Sequence, residues 1–210
     1  MKDATHMLKY PDSKILVFCK APIPGKVKTR LLSALSSCEA AGLYQKLAAR
    51  MLDCALDSSL ADVDLWCYPD VSHAFFQKYK ARGVPLFQQQ GVDLGERMYQ
   101  GALHSLAQEG VSKVLIIGAD CPTLDEDYLE SALSKLDDHD AVLGPAEDGG
   151  YGLIGLRKAD LTIFNDITWS TSQVCADTCR RMNKLNYNWS LLPLLWDVDR
   201  PEDLEKLDHA

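Results

Sequence analysis

Short apolar runs alternate along the chain with longer stretches in which apolar residues return every third or fourth position. Ile15-Leu-Val-Phe-Cys19 is continuous and reads as a buried strand. Val63-Asp-Leu-Trp-Cys-Tyr68 alternates, and Pro85-Leu-Phe-Gln-Gln89 is a shorter run of the same kind. Val114-Leu-Ile-Ile-Gly118 is the clearest strand, being continuous, β-branched and ended by glycine. Between these runs, Leu43, Leu47, Met51 and Ala55, with Leu52 beside them, mark one helix face. Leu94, Met98, Leu103 and Leu106 mark another, and a short helix spans about Ser72 to Lys80. Thr123-Leu-Asp-Glu126 has the form of a capping box and opens a helix carrying Leu129, Leu133 and Leu136. Ala141-Val-Leu-Gly144 and Gly152-Leu-Ile-Gly155 flank Asp148-Gly149-Gly150, which predicts an antiparallel hairpin. Ser170 or Thr171 caps a helix running to about Met182. Leu191-Leu-Pro-Leu-Leu-Trp196 holds Pro193 and so belongs on a sheet edge. Pro201 then stands at a helix start, with Glu202 and Asp203 in the first turn. Strands alternating with helices predict an α/β layer fold.

At 210 residues the chain fits one domain able to bury a substantial core. No repeat, low-complexity tract or linker divides it, so one domain is expected over residues 1–210. The formal net charge of −8 argues against a nucleic-acid binder, which would show a basic face. None of the seven cysteines forms a Cys-x-x-Cys pair, and Met1 to Met7 lacks the apolar stretch of a secretion signal. Nor does any apolar run approach the ~20 residues of a membrane helix. Reduced thiols, a cytoplasmic location and no membrane insertion are the expectation. Cys175 and Cys179 are spaced as two ligands on a helix, but no His or second Cys pair accompanies them, so they read as core. His6, His73, His104, His139 and His209 are scattered and read as surface or satisfied residues.

Against the acidic background, Lys20-Ala-Pro-Ile-Pro-Gly-Lys-Val-Lys-Thr-Arg30 concentrates four cations in a loop between a strand and a helix. Such a loop offers backbone N–H donors and cations to phosphate. Lys28 and Arg30 lie nearest the helix start and are the first choices, with Lys20 next and Lys26 as a solvated loop residue. In an open α/β sheet, ligands bind outside the carboxyl ends of the strands. Gly118-Ala-Asp-Cys-Pro122, the Asp148 turn and Asp197-Val-Asp199 fall at such ends too. Asp120 can hold Mg²⁺ or Mn²⁺, hard cations that take oxygen ligands, or it can cap a turn. Asp197 and Asp199 face the same choice. Gln88-Gln-Gln90 can pair with a base edge, or form an ordinary polar strand end. There is no Gly-x-Ser-x-Gly elbow and no Walker loop.

Six segments in order carry a resemblance: Lys20 to Leu31, Gln90-Gly-Val-Asp-Leu-Gly-Glu-Arg-Met98, Gly118-Ala-Asp-Cys-Pro-Thr123, Asp148-Gly-Gly-Tyr-Gly-Leu-Ile-Gly-Leu156, Trp169-Ser-Thr171, and Asp197-Val-Asp-Arg-Pro-Glu-Asp-Leu204. Together they resemble the bacterial DUF2064 family, over about Lys14 to Leu207. That family is often labelled a glycosyltransferase and lies in the nucleotide-diphospho-sugar transferase superfamily, with the GT-A fold. Lys28-Thr-Arg-Leu31 and the late Asp-x-Asp segment are also similar to guanylyltransferases that act on phospholactate. The resemblance implies a three-layer α/β/α sandwich whose mainly parallel sheet contains one antiparallel strand.

It further implies that Lys20, Pro24, Gly25, Lys28 and Arg30 hold the phosphates and that Gln90 and Gly95 read the base. Asp120 would bind metal with Asp197 or Asp199, while Asp148, Gly149, Gly150, Tyr151 and Trp169 would line the acceptor pocket. Two departures stand out. Many GT-A enzymes carry Asp-x-Asp at the metal site, where this chain has Gly118 in the earlier position, and Arg200 replaces the threonine of Asp-x-Asp-Thr-Pro, removing a helix cap. The implied activity is metal-dependent glycosyl transfer from a nucleotide-activated sugar to a small acceptor, with Lys28 and Arg30 steadying charge and Asp148 as base. Nucleotidyl transfer with release of pyrophosphate, and nucleotide binding without catalysis, are the alternatives. An edge strand interrupted by Pro193 neither requires nor forbids a homodimer.

Overall fold

The computed structural model describes residues 7–207. The readings of Met1 to His6 and of His209 lie outside the described residues.

Strands β1 (Ser13–Lys20), β2 (Asp62–Tyr68), β3 (Leu86–Gln88), β4 (Lys113–Gly118), β5 (Ala141–Pro145), β6 (Tyr151–Leu156) and β7 (Trp189–Leu191) form one sheet. Their order is β3-β2-β1-β4-β6-β5-β7. Strand β6 runs antiparallel to both its neighbours, β4 and β5, and the other pairings are parallel. The expected hairpin is therefore present, with β6 inserted between β5 and β4.

Helices α1 (Ser37–Asp57), α2 (Ala74–Lys80), α3 (Leu94–Leu106), α4 (Glu126–Lys135), α5 (Val174–Lys184) and α6 (Asp203–Leu207), with 3-10 turns at Thr29–Ser33 and Leu161–Phe164, complete the described elements. Alternate residues of β1 serve opposite faces. Ile15, Val17 and Cys19 pack with α1, α2 and α4, while Leu16 and Phe18 pack with Met98 and Ala102 of α3 and Met182 of α5. A strand covered on both faces has no polar side, which is why the run is continuously apolar. Among the described residues, no helix is long and apolar enough to cross a membrane.

Several local expectations are corrected. Helix α4 is capped by Asp125, whose side chain accepts from the Tyr128 N–H, and not by Thr123. Thr123 instead exchanges hydrogen bonds with the backbone of Trp196. Helix α5 begins at Val174 without a side-chain cap, so neither Ser170 nor Thr171 opens it. On α3, Leu94 and Leu103 are exposed, and the buried stripe is Gly95, Met98, Ala102 and Ser105. Helix α6 starts two residues beyond Pro201. The cap lost with Arg200 is supplied from the other direction, since Asp203 accepts from the Asp199 and Arg200 N–H groups. Pro193 lies past the end of edge strand β7, where the chain still follows β5 through bonds from the Leu192 and Leu195 N–H groups. Cys175 and Cys179 are half-buried and pack against the core, as expected.

Candidate active site

Strand order creates the site. The chain leaves β1 toward β2 and β3 on one side and later returns to β4 on the other, so β1 and β4 flank a topological switch point. Phe18 pairs with Gly118 across them, which sets the loop after Lys20 and the loop carrying Asp120 at the same sheet edge. Because β6 is antiparallel, it starts at this edge. Leu153 pairs with Ile117, so Tyr151 and the Asp148 turn join the group.

A cleft of about 480 Å³ opens there. Lys20, Lys26, Lys28, Arg30, Asp120, Asp148, Gly150, Tyr151, Trp169, Asp197 and Asp199 all line it. Lys26 is thus a wall residue as well as a solvated one. The late acidic segment is carried in by an apolar contact: Val198 is fully buried with Leu31 and Leu47, leaving the carboxylates on either side of it in the cleft. Salt bridges tie the same halves together. The Lys28 ammonium lies 2.8 Å from Asp120 and donates to the Val198 carbonyl at 2.6 Å, and Arg30 pairs with Asp199. That bond to Asp199 holds the Arg30 guanidinium above its ordinary pKa. Lys28, expected as a phosphate ligand, has spent two of its three N–H donors inside the protein.

Four cations and four carboxylates line the cleft and balance formally, but the carboxylates crowd one another around Asp197. Asp197 is pushed up to about 6, first by burial and then by Asp148, with Lys28 opposing and Asp120 and Asp199 adding to the rise. Among the described residues, no three His, Cys, Asp or Glu groups form a cage for a metal ion. Mg²⁺ seldom needs one, since it is bound by one or two carboxylates together with water and substrate phosphates. Asp120, paired with Lys28, and the half-buried Asp197, crowded by Asp148, Asp120 and Asp199, offer carboxylate oxygens that fit such an ion.

The side of the cleft around Asp148 and Trp169 is built closely. Asp148 accepts from the Gly150 N–H at 2.7 Å, which orients its carboxylate. Gly149 has φ +86, and a Cβ there would stand 2.1 Å from the Ser172 carbonyl oxygen. Gly95 lies under the indole of Trp169, where a Cβ would come within 2.5 Å of the ring. The half-buried Trp169 keeps an Nε1–H with no protein partner.

Not every expected residue gathers in the cleft. Pro24 and Gly25 belong to the cationic loop but do not line the cleft, Gly149 stands behind the wall, and Gly95 packs beneath Trp169. Gln90 lies in a second, smaller pocket of about 300 Å³ with Trp66, Phe87 and His104. Gln88 and Gln89 are committed to the Pro69 and Trp66 carbonyls. The sequence reading missed Tyr44 of α1, a cleft residue whose hydroxyl accepts from the Lys20 N–H at 2.8 Å and so fixes the start of the cationic loop. Its only signal was a polar-tipped aromatic one position from an apolar stripe.

A family profile described as "Uncharacterized protein conserved in bacteria (DUF2064)" matches residues 51–171. No curated protein matches. Among solved structures, a Desulfovibrio desulfuricans G20 protein, described under a provisional assignment as a nucleotide-diphospho-sugar transferase, is 36% identical with a TM-score of 0.85. That match covers 94% of this chain and 86% of the other. The 4-diphosphocytidyl-2C-methyl-D-erythritol synthase of Anaerococcus prevotii DSM 20548 is 8% identical, covers 98% of both chains and has a TM-score of 0.62. An inositol-1-phosphate CTP transferase from T. maritima is 14% identical, with coverage of 95% and 94% and a TM-score of 0.56. The latter two share the fold.

Proposed function

This chain belongs to the DUF2064 family, and on that footing we propose that it is a metal-dependent transferase that moves a glycosyl group from a nucleotide-diphospho-sugar to a small acceptor. The observation that carries the reading is the meeting of Lys20, Lys28 and Arg30 with Asp120, Asp148, Asp197 and Asp199 in one cleft. A diphosphate needs cations on one side and, through a divalent ion, carboxylates on the other.

In this reading Lys20 and Arg30 take phosphate oxygens, and Tyr44 holds the loop that presents them. Asp120 and Asp197 would hold Mg²⁺ or Mn²⁺, with Asp199 in reserve behind Arg30. When bound, the ion would stabilise negative charge on the departing nucleoside diphosphate. Asp148 takes the proton of the acceptor hydroxyl at its free carboxylate oxygen, while the Gly150 N–H fixes the other. Trp169 supplies a flat apolar face on which a ring of the acceptor can lie.

A second reading, nucleotidyl transfer, is favoured by the concentration of cations, because three phosphates need more positive charge than two. The two are separated by their products. With a panel of nucleotide sugars and acceptors plus Mn²⁺, release of a nucleoside diphosphate that fails in Asp148→Asn is the expected result. Pyrophosphate formed from a nucleoside triphosphate and a sugar phosphate would replace the first reading with the second.

A further inference from the structure

Lys28 is placed unlike the other cations of the cleft. Its side chain is 4% exposed, against 52% for Arg30. Its backbone is left-handed, with φ 47 and ψ 41, a conformation that side chains other than glycine adopt rarely and at a cost. That turn drives the side chain inward, where the ammonium sits between the Asp120 carboxylate at 2.8 Å and the Val198 carbonyl at 2.6 Å. A carboxylate and a carbonyl oxygen are the donors a hard divalent ion would use. The ammonium occupies their shared niche.

We propose that Lys28 is a positioning residue that stands in for the divalent ion at Asp120 and yields only to an ion arriving with phosphate. The inference rests on the metal-and-phosphate reading above. A dication placed beside an unmoved ammonium meets direct repulsion, and Asp120 has no spare charge to offer it. Phosphate oxygens supply the missing partner: the ammonium turns to them, Asp120 turns to the ion, and each charge stays compensated. Val198 fixes the distance over which this exchange happens, because its carbonyl is held by the buried contact with Leu31 and Leu47. The consequence is an order of binding in which free metal is excluded and metal with phosphate is admitted. A lysine serving only to tether the C-terminal segment would produce no such order.

The test measures Mn²⁺ retained with the full chain on ultrafiltration, alone and with inorganic pyrophosphate, which needs no knowledge of the base. Wild type is expected to retain Mn²⁺ weakly by itself and at least about tenfold better with pyrophosphate. Lys28→Met should bind Mn²⁺ alone about tenfold more tightly than wild type, with little further gain from pyrophosphate. Lys28→Arg, which keeps the charge, should resemble wild type, and Lys28→Met with Asp120→Asn should lose the gain. Circular dichroism confirms folding, and Lys28→Gln supplies the same comparison if Lys28→Met does not fold. Wild type that loads Mn²⁺ with pyrophosphate, while neither neutral variant gains affinity for Mn²⁺ alone, overturns the role given to Lys28 and leaves the site reading standing. Failure of every chain to retain Mn²⁺, even with pyrophosphate, overturns both.

Discussion

Lys14 and Asp64 pair at 2.9 Å across β1 and β2, and the carboxylate has no solvent exposure. One of its oxygens has no protein partner. A buried pair of this kind adds little net stability, but breaking it leaves an uncompensated charge. Lys14→Met should therefore cost about 3–5 kcal/mol in urea unfolding, and adding Asp64→Leu should recover much of the loss. Asp12 offers a pH test at the same scale. The Ser112 hydroxyl bond holds its carboxyl below the ordinary carboxylate value, against an opposing effect of burial and with help from Lys113. A depressed folded-state pKa gives stability that is present above the unfolded value and disappears as pH falls through the folded one. Asp12→Asn should accordingly flatten the slope of stability against pH below about pH 4, read by thermal unfolding at stepped pH. None of Lys14, Asp64 and Asp12 stood out in the sequence, because an isolated Lys or Asp signals nothing until its partner is known.

At the scale of elements, α4 shows how two plausible caps are resolved. Thr123 and Asp125 are both good N-cap residues, and Thr-x-x-Glu is a proper capping pattern. Local sequence cannot choose between them, since each would satisfy the orphan N–H groups of a helix with its own start. The choice is made by Trp196, whose backbone engages the Thr123 hydroxyl and removes it from the competition. Asp125→Ala should destabilise the protein by about 1 kcal/mol, measured by urea unfolding. Thr123→Ala should leave α4 intact and instead speed hydrogen exchange at the Trp196 amide, which loses its bond to the hydroxyl. The strands and the long helices were legible because an element covered on one or both faces must repeat its apolar residues with its own period. Leu94 and Leu103 of α3 misled because helical spacing identifies a stripe without saying which neighbouring stripe meets the sheet.

For the molecule as a whole, the cleft joins segments from both ends of the chain, so a ligand that spans it should stabilise global folding. At a hundred times its dissociation constant such a ligand adds about 2.7 kcal/mol. For a chain of this length that corresponds to a rise in Tm of roughly 5–10 °C. A scanning screen of nucleotides and sugar nucleotides with Mn²⁺ should show this shift, and Asp120→Ala should lose its metal-dependent part. The sequence by itself determined the α/β class, the hairpin, and the placing of cationic and acidic segments at strand ends, because those follow from local periodicity and turn chemistry. Only the tertiary structure decided which charges meet. Lys28 reaches a carbonyl 170 residues away because Val198 is buried with Leu31 and Leu47, while Gln90 falls in another pocket although its loop ends at the same sheet edge. Such pairings depend on strand order and on apolar contacts between distant segments, neither of which any local stretch of sequence contains.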